Sequence, residues 1–239
     1  MKKILLPLLF MMFTGHSFAA VSPQAESQIR AILPNTRITQ INQAPFPGMY
    51  EVLAGDNAFY VNPENESEII VGHILNTKSM QDETDLRIAA ERNKRYNFNK
   101  LPLNQAIKVG NGKKQIAVFV DPDCPYCQQL ELYLSKNLSK LTIYYFFIPL
   151  PMHPLAKEHI EQILCATSPA KAIDTIMVKK LSAAIPDKSC LTKADNQIAQ
   201  IQKYSTENGI NATPFIITDS NIVIGGFDTN ALDNYLGVK

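Results

Sequence analysis

The 239-residue sequence lacks an excess of charge of either sign, because 23 lysines and arginines stand against 22 aspartates and glutamates. This balance excludes the strongly basic surfaces by which proteins bind nucleic acid or anionic membranes. Internal repeats and low-complexity segments are also lacking. Beyond the N-terminus, no stretch approaches the roughly 18 apolar residues that a transmembrane helix requires. With 46% hydrophobic residues, the chain can still build a sizeable core in one or two domains.

Residues 1–19 have the pattern of a secretory signal peptide. Two lysines precede the apolar run Ile4 to Phe13, which is too short to span a membrane. Small residues at Ser17 and Ala19 fit the positions that a signal peptidase reads. We therefore predict cleavage after Ala19, with an uncleaved N-terminal anchor as the alternative. The mature protein is expected in an oxidising compartment, the bacterial periplasm, where paired cysteines persist.

Residues 20–77 are predicted to form a small α+β domain. Ser22 and Pro23 mark the start of an amphipathic helix that ends before Pro34, since proline is well tolerated at the first helical position. Short alternating runs separated by turn signals then predict an antiparallel sheet with strands in 36–43, 49–54, 58–61 and 69–76. A core this thin usually needs a partner surface, so we expect the domain to dimerise.

Residues 78–97 are rich in charge and poor in apolar side chains. That composition predicts a solvated helix that links two domains, with acidic residues early and basic residues late, as the helix dipole favours. A surface helix packed on a single domain is the alternative.

Residues 98–239 alternate between strand and helix patterns from Ile107 onward. The predicted strands are 116–120, 141–148, 215–218 and 222–224, and the predicted helices are 125–138, 154–164, 170–181, 193–207 and 229–236. This order is typical of an α/β domain with a helical insertion. The fold class of the whole chain is therefore predicted as α/β (α+β).

Cysteine is scarce, with four residues in all, and two of them stand close together in Cys124-Pro-Tyr-Cys127. A bond between these two would close a loop too short to stabilise the fold much. Pro125 suits the first position of a helix, which places Cys124 at the positive end of the helix dipole, where a thiolate is favoured. We therefore predict thiol-disulfide exchange in which Cys124 attacks and the less exposed Cys127 resolves. A zinc site and a purely structural disulfide are the alternatives.

The acidic residues Asp121 and Asp123 act against a thiolate at Cys124, because nearby carboxylates disfavour a second negative charge. The residue pattern does not decide which effect is larger.

The other two cysteines, Cys165 and Cys190, are predicted to form a structural disulfide. Closing the long loop between them would stabilise the fold by roughly 3 to 4 kcal/mol on the entropic account. A role in relaying electrons is the alternative.

Thr213-Pro214 stands at the start of a predicted strand, where proline removes a ladder hydrogen bond. A cis bond is possible before proline, but the residues alone favour an ordinary trans turn.

These motifs, taken together, resemble the thioredoxin superfamily. Cys124-Pro-Tyr-Cys127 follows a strand, and Ala212-Thr-Pro214 opens another strand far downstream. The resemblance implies that Pro214 is cis and packs beside the active-site sulfurs. It also implies that Thr213 offers backbone groups to a bound extended polypeptide.

The entire mature chain is similar to the DsbC/DsbG family of periplasmic protein disulfide isomerases, and is closest to DsbC. The shared pattern runs in order through Phe119-Val-Asp-Pro-Asp-Cys-Pro-Tyr-Cys127, Cys165-Ala166, Lys171-Ala172, Met177, Cys190 and Thr213-Pro214. The resemblance implies a cystatin-like N-terminal dimerisation domain, a linker helix and a C-terminal thioredoxin-like catalytic domain.

Some residues depart from the family pattern. The dipeptide Pro125-Tyr126 resembles DsbG and glutaredoxins more than the best-known DsbC proteins, whereas the second cysteine pair favours DsbC. Thioredoxin carries a buried acid where this chain has Val118, so Asp121 becomes the candidate proton acceptor for Cys127. Tyr126 is a candidate contact for client proteins.

Three histidines are candidate site residues. His153 lies in a proline-rich loop and could tune Cys124 if the loop approaches the active site, although a surface position is favoured. His73 and His159 have no ligand spacing with it and are predicted to be structural. No metal and no cofactor are predicted.

The resemblance implies a periplasmic thiol-disulfide oxidoreductase that acts as a protein disulfide isomerase on misfolded or misoxidised secreted proteins. A membrane electron donor of the DsbD type would keep it reduced, and a homodimer through residues 20–77 is implied. Three alternatives remain: a DsbG-like reductase of sulfenylated cysteines, a DsbA-like dithiol oxidase and a non-enzymatic periplasmic chaperone.

Overall fold

The computed structural model describes residues 21–65, 68–182 and 187–238. The predicted signal peptide lies outside these residues. The chain divides into two compact units, Met1–Glu91 and Arg92–Lys239. Both units combine helices with a sheet, which confirms the α/β (α+β) fold class. None of the helices in the described ranges has the length and hydrophobicity needed to cross a bilayer.

The first unit combines one helix with a four-stranded antiparallel sheet. Helix α1 (Pro23–Ile32) begins as predicted, because the Ser22 side chain accepts the Ala25 N–H at 3.2 Å. Ile29 on this helix packs against Val52 and Val61 in a small apolar core. The strands follow in chain order as spatial neighbours: β1 (Gln40–Gln43), β2 (Tyr50–Ala54), β3 (Asn57–Val61) and β4 (Ile69–Val71).

The segment after β4 differs from the prediction. The strand predicted over 69–76 is two strands, because β5 (Leu75–Asn76) leaves the main sheet and pairs with β6 (Gln81–Asp82). Because β6 occupies the start of the segment predicted to be helical, 78–97, the observed helix α2 is shorter than predicted and spans Glu83–Arg95. The boundary between the two units falls inside α2.

A buried carboxylate fixes the start of α2 against the sheet. Glu51 on β2 is 1% exposed and receives two hydrogen bonds from the Arg87 guanidinium, at 2.7 and 2.8 Å. The Tyr60 hydroxyl donates to the same carboxylate at 3.0 Å and lies 2.6 Å from the Thr84 hydroxyl. Burial of this charge is tolerated because every contact supplies a donor.

The second unit contains a five-stranded mixed sheet with the spatial order β11-β10-β8-β9-β7. Strands β8 and β9 run parallel and the other neighbours run antiparallel. The elements in chain order are β7 (Ile107–Gly110), β8 (Lys114–Val120), α3 (Pro125–Leu134), β9 (Leu141–Phe147), α4 (Ala156–Cys165), α5 (Pro169–Ile173), α6 (Lys188–Glu207), β10 (Phe215–Thr218), β11 (Val223–Gly225) and α7 (Thr229–Leu236).

The parallel pair β8 and β9 is the centre of this unit and is buried on both faces. Val118 and Phe119 on adjacent positions of β8 belong to two separate apolar clusters, one on each face of the sheet. Val120 stands opposite Phe147, so both strands end at the same edge. The turns that follow β8 and β9 therefore lie side by side.

Three boundaries in this unit differ from the predictions. The helix predicted over 125–138 ends at Leu134 and is followed by a 3-10 turn, Ser135–Asn137. The helix predicted over 170–181 is the short α5 followed by a π-helical turn, Asp174–Val178. Helix α6 begins at Lys188 instead of Lys193, because the Asp187 side chain accepts the N–H groups of Ser189 and Cys190. Strand β7 was not predicted.

Candidate active site

The candidate active site begins where β8 ends. Asp121 follows the strand and is 0% exposed, and its carbonyl accepts the Cys124 N–H at 3.1 Å. Cys124 is the N-cap residue of α3 and Pro125 occupies the first helical turn. The Cys124 carbonyl accepts the Gln128 N–H at 3.0 Å, which is the first bond of the helix. The Cys124 sulfur thus stands at the positive end of a helix.

Cys124 and Cys127 are both free, and their environments differ. Cys124 is 5% exposed and Cys127 is 0% exposed. The pKa of the Cys124 thiol is lowered to about 5, chiefly by its contact with the Cys127 thiol, with backbone N–H groups at the start of α3 and Thr213 adding to the effect. Cys127 is the more deeply buried of the two. Its burial, together with its contact with Cys124, raises the pKa of the Cys127 thiol far above the ordinary thiol range. The outer sulfur is therefore the thiolate and the inner one stays protonated.

The peptide bond Thr213–Pro214 is cis, as the resemblance implies, so the trans turn favoured by the residues alone is wrong. The Thr213 carbonyl oxygen lies 3.6 Å from the Cys124 Sγ. Pro214 is buried, and its carbonyl accepts the Gly226 N–H at 2.8 Å. The loop before β10 thus places a backbone acceptor beside the outer sulfur.

Asp121 connects the cysteine turn to the loop that follows β9. Its carboxylate accepts the N–H of Asp123 at 2.8 Å and the N–H of Leu150 at 2.7 Å. The same carboxylate lies 3.0 Å from Nδ1 of His153, whose side chain is 19% exposed. The surface position favoured for His153 is therefore wrong. Asp121 raises the pKa of His153, and the nearby Cys124 and Asp123 add to this effect.

A second histidine was missed as a neighbour of the site. His159 on α4 places its Nδ1 2.6 Å from a carboxylate oxygen of Asp123. The sequence predicts a structural role for His159 because it has no metal-ligand spacing with His153. No local sequence pattern indicates its contact with Asp123. The parallel arrangement of β8 and β9 brings the two segments together.

Two clefts flank the cysteine turn. One, of about 330 Å³, is lined by residues that include Asp123, Pro125 and His159. The other, of about 310 Å³, is lined by Thr213 together with Pro149 and other residues from the turn after β9 and from α6. The sulfur at Cys124 therefore lies between two concave surfaces. Tyr126 is 62% exposed beside it.

The other cysteines form a disulfide, with Cα atoms of Cys165 and Cys190 5.9 Å apart. It joins the end of α4 to the first turn of α6. Since these two sulfurs are bonded to each other, they are not available as zinc ligands beside Cys124 and Cys127.

One group of described residues could offer three metal ligands, and it lies in the first unit. His73, Asp82 and Asp85 place ligand atoms within 4.8 Å of one another. Local structure explains this group, because Asp82 accepts the Asp85 N–H at 2.9 Å in the first turn of α2 and contacts His73 at 2.8 Å.

Comparison with known proteins matches both units. The thioredoxin-like domain family matches residues 101–236, and the N-terminal domain of disulfide bond isomerase proteins, DsbC_N, matches residues 17–86. The chain belongs to the thioredoxin-like domain family, and its N-terminal part is similar to the N-terminal domain of disulfide bond isomerase proteins. The family assignment agrees with the order of motifs along the sequence and with the geometry of the cysteine turn.

Individual relatives of the chain are named DsbC. A probable thiol:disulfide interchange protein DsbC of Bordetella avium is 34% identical over 145 residues, which cover 60% of this chain and 50% of the relative. The chain therefore spans about half the length of the Bordetella DsbC that it matches. The DsbC of Escherichia coli K12 is 24% identical over 225 residues, covering 92% of this chain and 89% of that protein. A disulfide interchange protein of Neisseria gonorrhoeae aligns at 29% identity with a TM-score of 0.48, covering 57% of this chain and 96% of that one.

Proposed function

We propose that the protein is a periplasmic thiol-disulfide oxidoreductase that works mainly as a protein disulfide isomerase. The observation that carries the proposal is the contrast between the two sulfurs. Cys124 has a pKa of about 5 at the N-terminus of α3, while Cys127 is fully buried beneath it. The catalytic residues are Cys124 and Cys127, with Pro125, Tyr126, Thr213 and Pro214 as neighbours.

The first step is attack by the Cys124 thiolate on a disulfide of a client protein. A bond forms between the Cys124 sulfur and one client sulfur, the client disulfide breaks, and the second client sulfur leaves as a thiolate. A thiol with a pKa of about 5 is almost wholly ionised at neutral pH. The attacking form is therefore present without a separate base.

The mixed disulfide has two outcomes. In isomerisation, the released client thiolate attacks another disulfide of the client, and a client thiolate finally displaces Cys124 unchanged. In reduction, Cys127 loses its proton and attacks the Cys124 sulfur, the client leaves as a thiolate that takes up a proton, and the enzyme is left oxidised. The raised pKa of Cys127 slows this second outcome and gives the client time to rearrange.

Client binding is supported by the surfaces around the sulfur. The Thr213 carbonyl lies beside Cys124, and an extended client backbone can donate an N–H to an acceptor in this position. The clefts on either side are large enough for client side chains, and the exposed Tyr126 ring offers an apolar contact. The clients are misfolded or misoxidised secreted proteins.

A homodimer through the first unit is supported by its free sheet edge. Strand β4 stands at the end of the sheet, and its three residues Ile69, Ile70 and Val71 are 42%, 58% and 68% exposed. An apolar edge strand of this kind is a pairing surface that soluble proteins normally cover.

Isomerisation also requires reduced cysteines, so a membrane electron donor of the DsbD type is the proposed source of electrons.

Recovery of activity from scrambled ribonuclease in a glutathione buffer tests the proposal. The wild-type protein should restore ribonuclease activity, and Cys124→Ser should not. Cys127→Ser should retain some isomerisation and accumulate mixed disulfides that resist resolution. Equal recovery with wild type and Cys124→Ser would support a chaperone instead, provided that clients without cysteine are also rescued.

The dipeptide Pro125-Tyr126 favours one competing activity, reduction of sulfenylated cysteines, because it resembles the DsbG pattern. There the Cys124 thiolate displaces hydroxide from a sulfenic acid, which leaves as water after protonation, and Cys127 resolves the resulting disulfide. Turnover on a sulfenylated protein that greatly exceeds turnover on scrambled ribonuclease would assign the protein to this activity.

A further inference from the structure

Two carboxylates immediately precede the attacking sulfur. Asp121 and Asp123 lie within three positions of Cys124 in the sequence. Negative charges at such short range disfavour a thiolate and should raise the pKa of the sulfur. The pKa of Cys124 is nevertheless about 5. The Cys127 thiol and the N–H groups at the start of α3 lower it, and a group that neutralises the two carboxylates would protect this low value.

Each carboxylate is in contact with a histidine from a different segment. His153, in the loop after β9, contacts Asp121 at 3.0 Å, and His159 on α4 contacts Asp123 at 2.6 Å. The two histidine side chains are equally accessible, at 19% exposed. The carboxylates differ, because Asp121 is 0% exposed and Asp123 is 22% exposed. The chain thus contains a buried pair and a solvated pair beside the same sulfur.

The buried pair is a short contact between an imidazole and a carboxylate. Nδ1 of His153 lies 3.0 Å from an Asp121 oxygen, this contact is the largest cause of the raised His153 pKa, and the nitrogen has no other partner among the described residues. The Asp121 oxygens already accept the N–H groups of Asp123 and Leu150. What the imidazole supplies to this carboxylate is therefore its positive charge.

Three negatively charged or ionisable groups that face His153 favour its protonated form, and burial only partly opposes them. Asp121 comes from the end of β8, and Asp123 and Cys124 come from the turn that precedes α3. A buried charge pair is weakly screened, so its loss is felt at the neighbouring sulfur more strongly than the loss of a solvated pair.

We propose that His153 is a positioning residue of the exchange reaction, because its imidazolium neutralises the buried Asp121 and so keeps the turn before Cys124 free of uncompensated negative charge. This role rests on the proposed function, since it concerns the thiolate that attacks the client. His153 touches neither client nor reacting bond, and acts through Asp121.

The test is titration of the Cys124 thiolate by its absorbance at 240 nm in the reduced protein, together with the pH profile of alkylation. His153→Gln should raise the pKa of Cys124 by about 1, because Asp121 then remains as an unpaired charge. Asp121→Asn combined with His153→Gln should return the pKa towards the wild-type value. His159→Gln is the matched control, and it should raise the pKa by much less because solvent screens Asp123.

A packing role for His153 predicts a different result. If His153→Gln leaves the pKa of Cys124 unchanged, or if the double variant stays as high as the single one, the proposal is wrong. His153→Arg keeps the charge and provides a second measurement should His153→Gln fail to fold. It should keep the pKa of Cys124 near the wild-type value because the positive charge beside Asp121 is retained, and a pKa as high as that of His153→Gln would overturn the proposal.

These measurements are made on the protein without a client. A wild-type protein that titrates as expected but does not rescue scrambled ribonuclease would contradict the proposed function and leave the charge pairing intact.

Discussion

Cys124 and Cys127 lie one helical turn apart, and their thiol pKa values shift in opposite directions because their surroundings differ. Cys124 meets the Cys127 thiol and the free N–H groups at the start of α3, whereas Cys127 is enclosed by the core. Desolvation penalises the charged form, and hydrogen bonds from donors favour it. The proposed roles of Cys124 in attack and Cys127 in resolution therefore follow from one turn of helix.

Selective alkylation measures this difference. In the reduced protein, iodoacetamide at pH 6 should modify Cys124 rapidly and leave Cys127 unmodified, because alkylation follows the fraction of thiolate. With a pKa of about 5, the rate should fall as the pH drops through 5 and should level off above pH 6. Peptide mapping of the labelled site against Cys124→Ser checks the assignment. Labelling of Cys127 first would contradict the proposed roles.

Glu131 is a second residue whose acidity is set by burial. It is 6% exposed on α3, and the Tyr145 hydroxyl donates to its carboxylate at 2.6 Å. Burial raises the pKa of Glu131 to about 7, and the Tyr145 hydrogen bond only partly opposes it. The folded state therefore holds a proton that the unfolded chain releases near pH 4.5.

This shift predicts a loss of stability as the pH rises. The contribution of Glu131 is fully present below about pH 4.5 and falls until the pH passes about 7, a loss of about 3 kcal/mol. Glu131→Gln cannot ionise, so between pH 5 and pH 8 its free energy of unfolding should fall less than that of the wild type. Urea unfolding followed by circular dichroism measures the difference. The exposed Glu207→Gln is the control, and an equal pH dependence in wild type and Glu131→Gln would contradict the argument.

At the scale of elements, the disulfide ties two helices of the insertion together. Cys165 ends α4 and Cys190 lies in the first turn of α6, with a sequence separation of 25. Closing a loop of this length removes entropy from the unfolded chain worth roughly 3 to 4 kcal/mol. The pair Cys165→Ala and Cys190→Ala should therefore lower the urea midpoint of the second unit while alkylation of Cys124 stays fast. An unchanged midpoint would show that the bond does not stabilise this unit.

The elements that local patterns determine were predicted well. Strands β8 and β9 are continuous apolar runs, and α1 has both its Ser22 cap and its proline in the sequence. Strand β7 was missed because its four residues are stabilised by pairing with β9, which is remote in sequence. The division of 69–76 into β4 and β5 likewise depends on a partner, β6, that no local pattern indicates.

In the candidate site, too, the local features were predictable and the long-range contacts were not. The pair Cys124 and Cys127 is visible because its spacing and its helix N-terminus are local. The contacts of Asp121 with His153 and of Asp123 with His159 were missed as pairs because they join segments far apart in the chain. Parallel strands end at a common edge, so knowing that β8 pairs with β9 would have brought the two turns together.

For the whole molecule, the proposed dimer through the sheet edge at β4 would connect assembly to activity. An isomerase must hold a client through more than one exchange, and a second copy would add a second sulfur and more binding surface. If the protein is a dimer, the reactivity of Cys124 and the processing of a client therefore depend on different parts of the assembly. On this proposal, sulfur chemistry belongs to the second unit, and client processing depends on the dimer.

Val71→Lys tests this separation. Val71 is 68% exposed on the edge strand, so lysine should leave the fold intact while it places an unpaired charge in the dimer interface. Sedimentation equilibrium should show at least a tenfold weaker dimer, since burying such a charge costs more than 1.4 kcal/mol, the equivalent of that factor. Recovery of scrambled ribonuclease should fall, and the alkylation rate of Cys124 should not change. Ile222→Lys, at a residue 44% exposed in the second unit, is the matched control and should alter neither property. A Val71→Lys protein that remains fully dimeric would place the interface elsewhere.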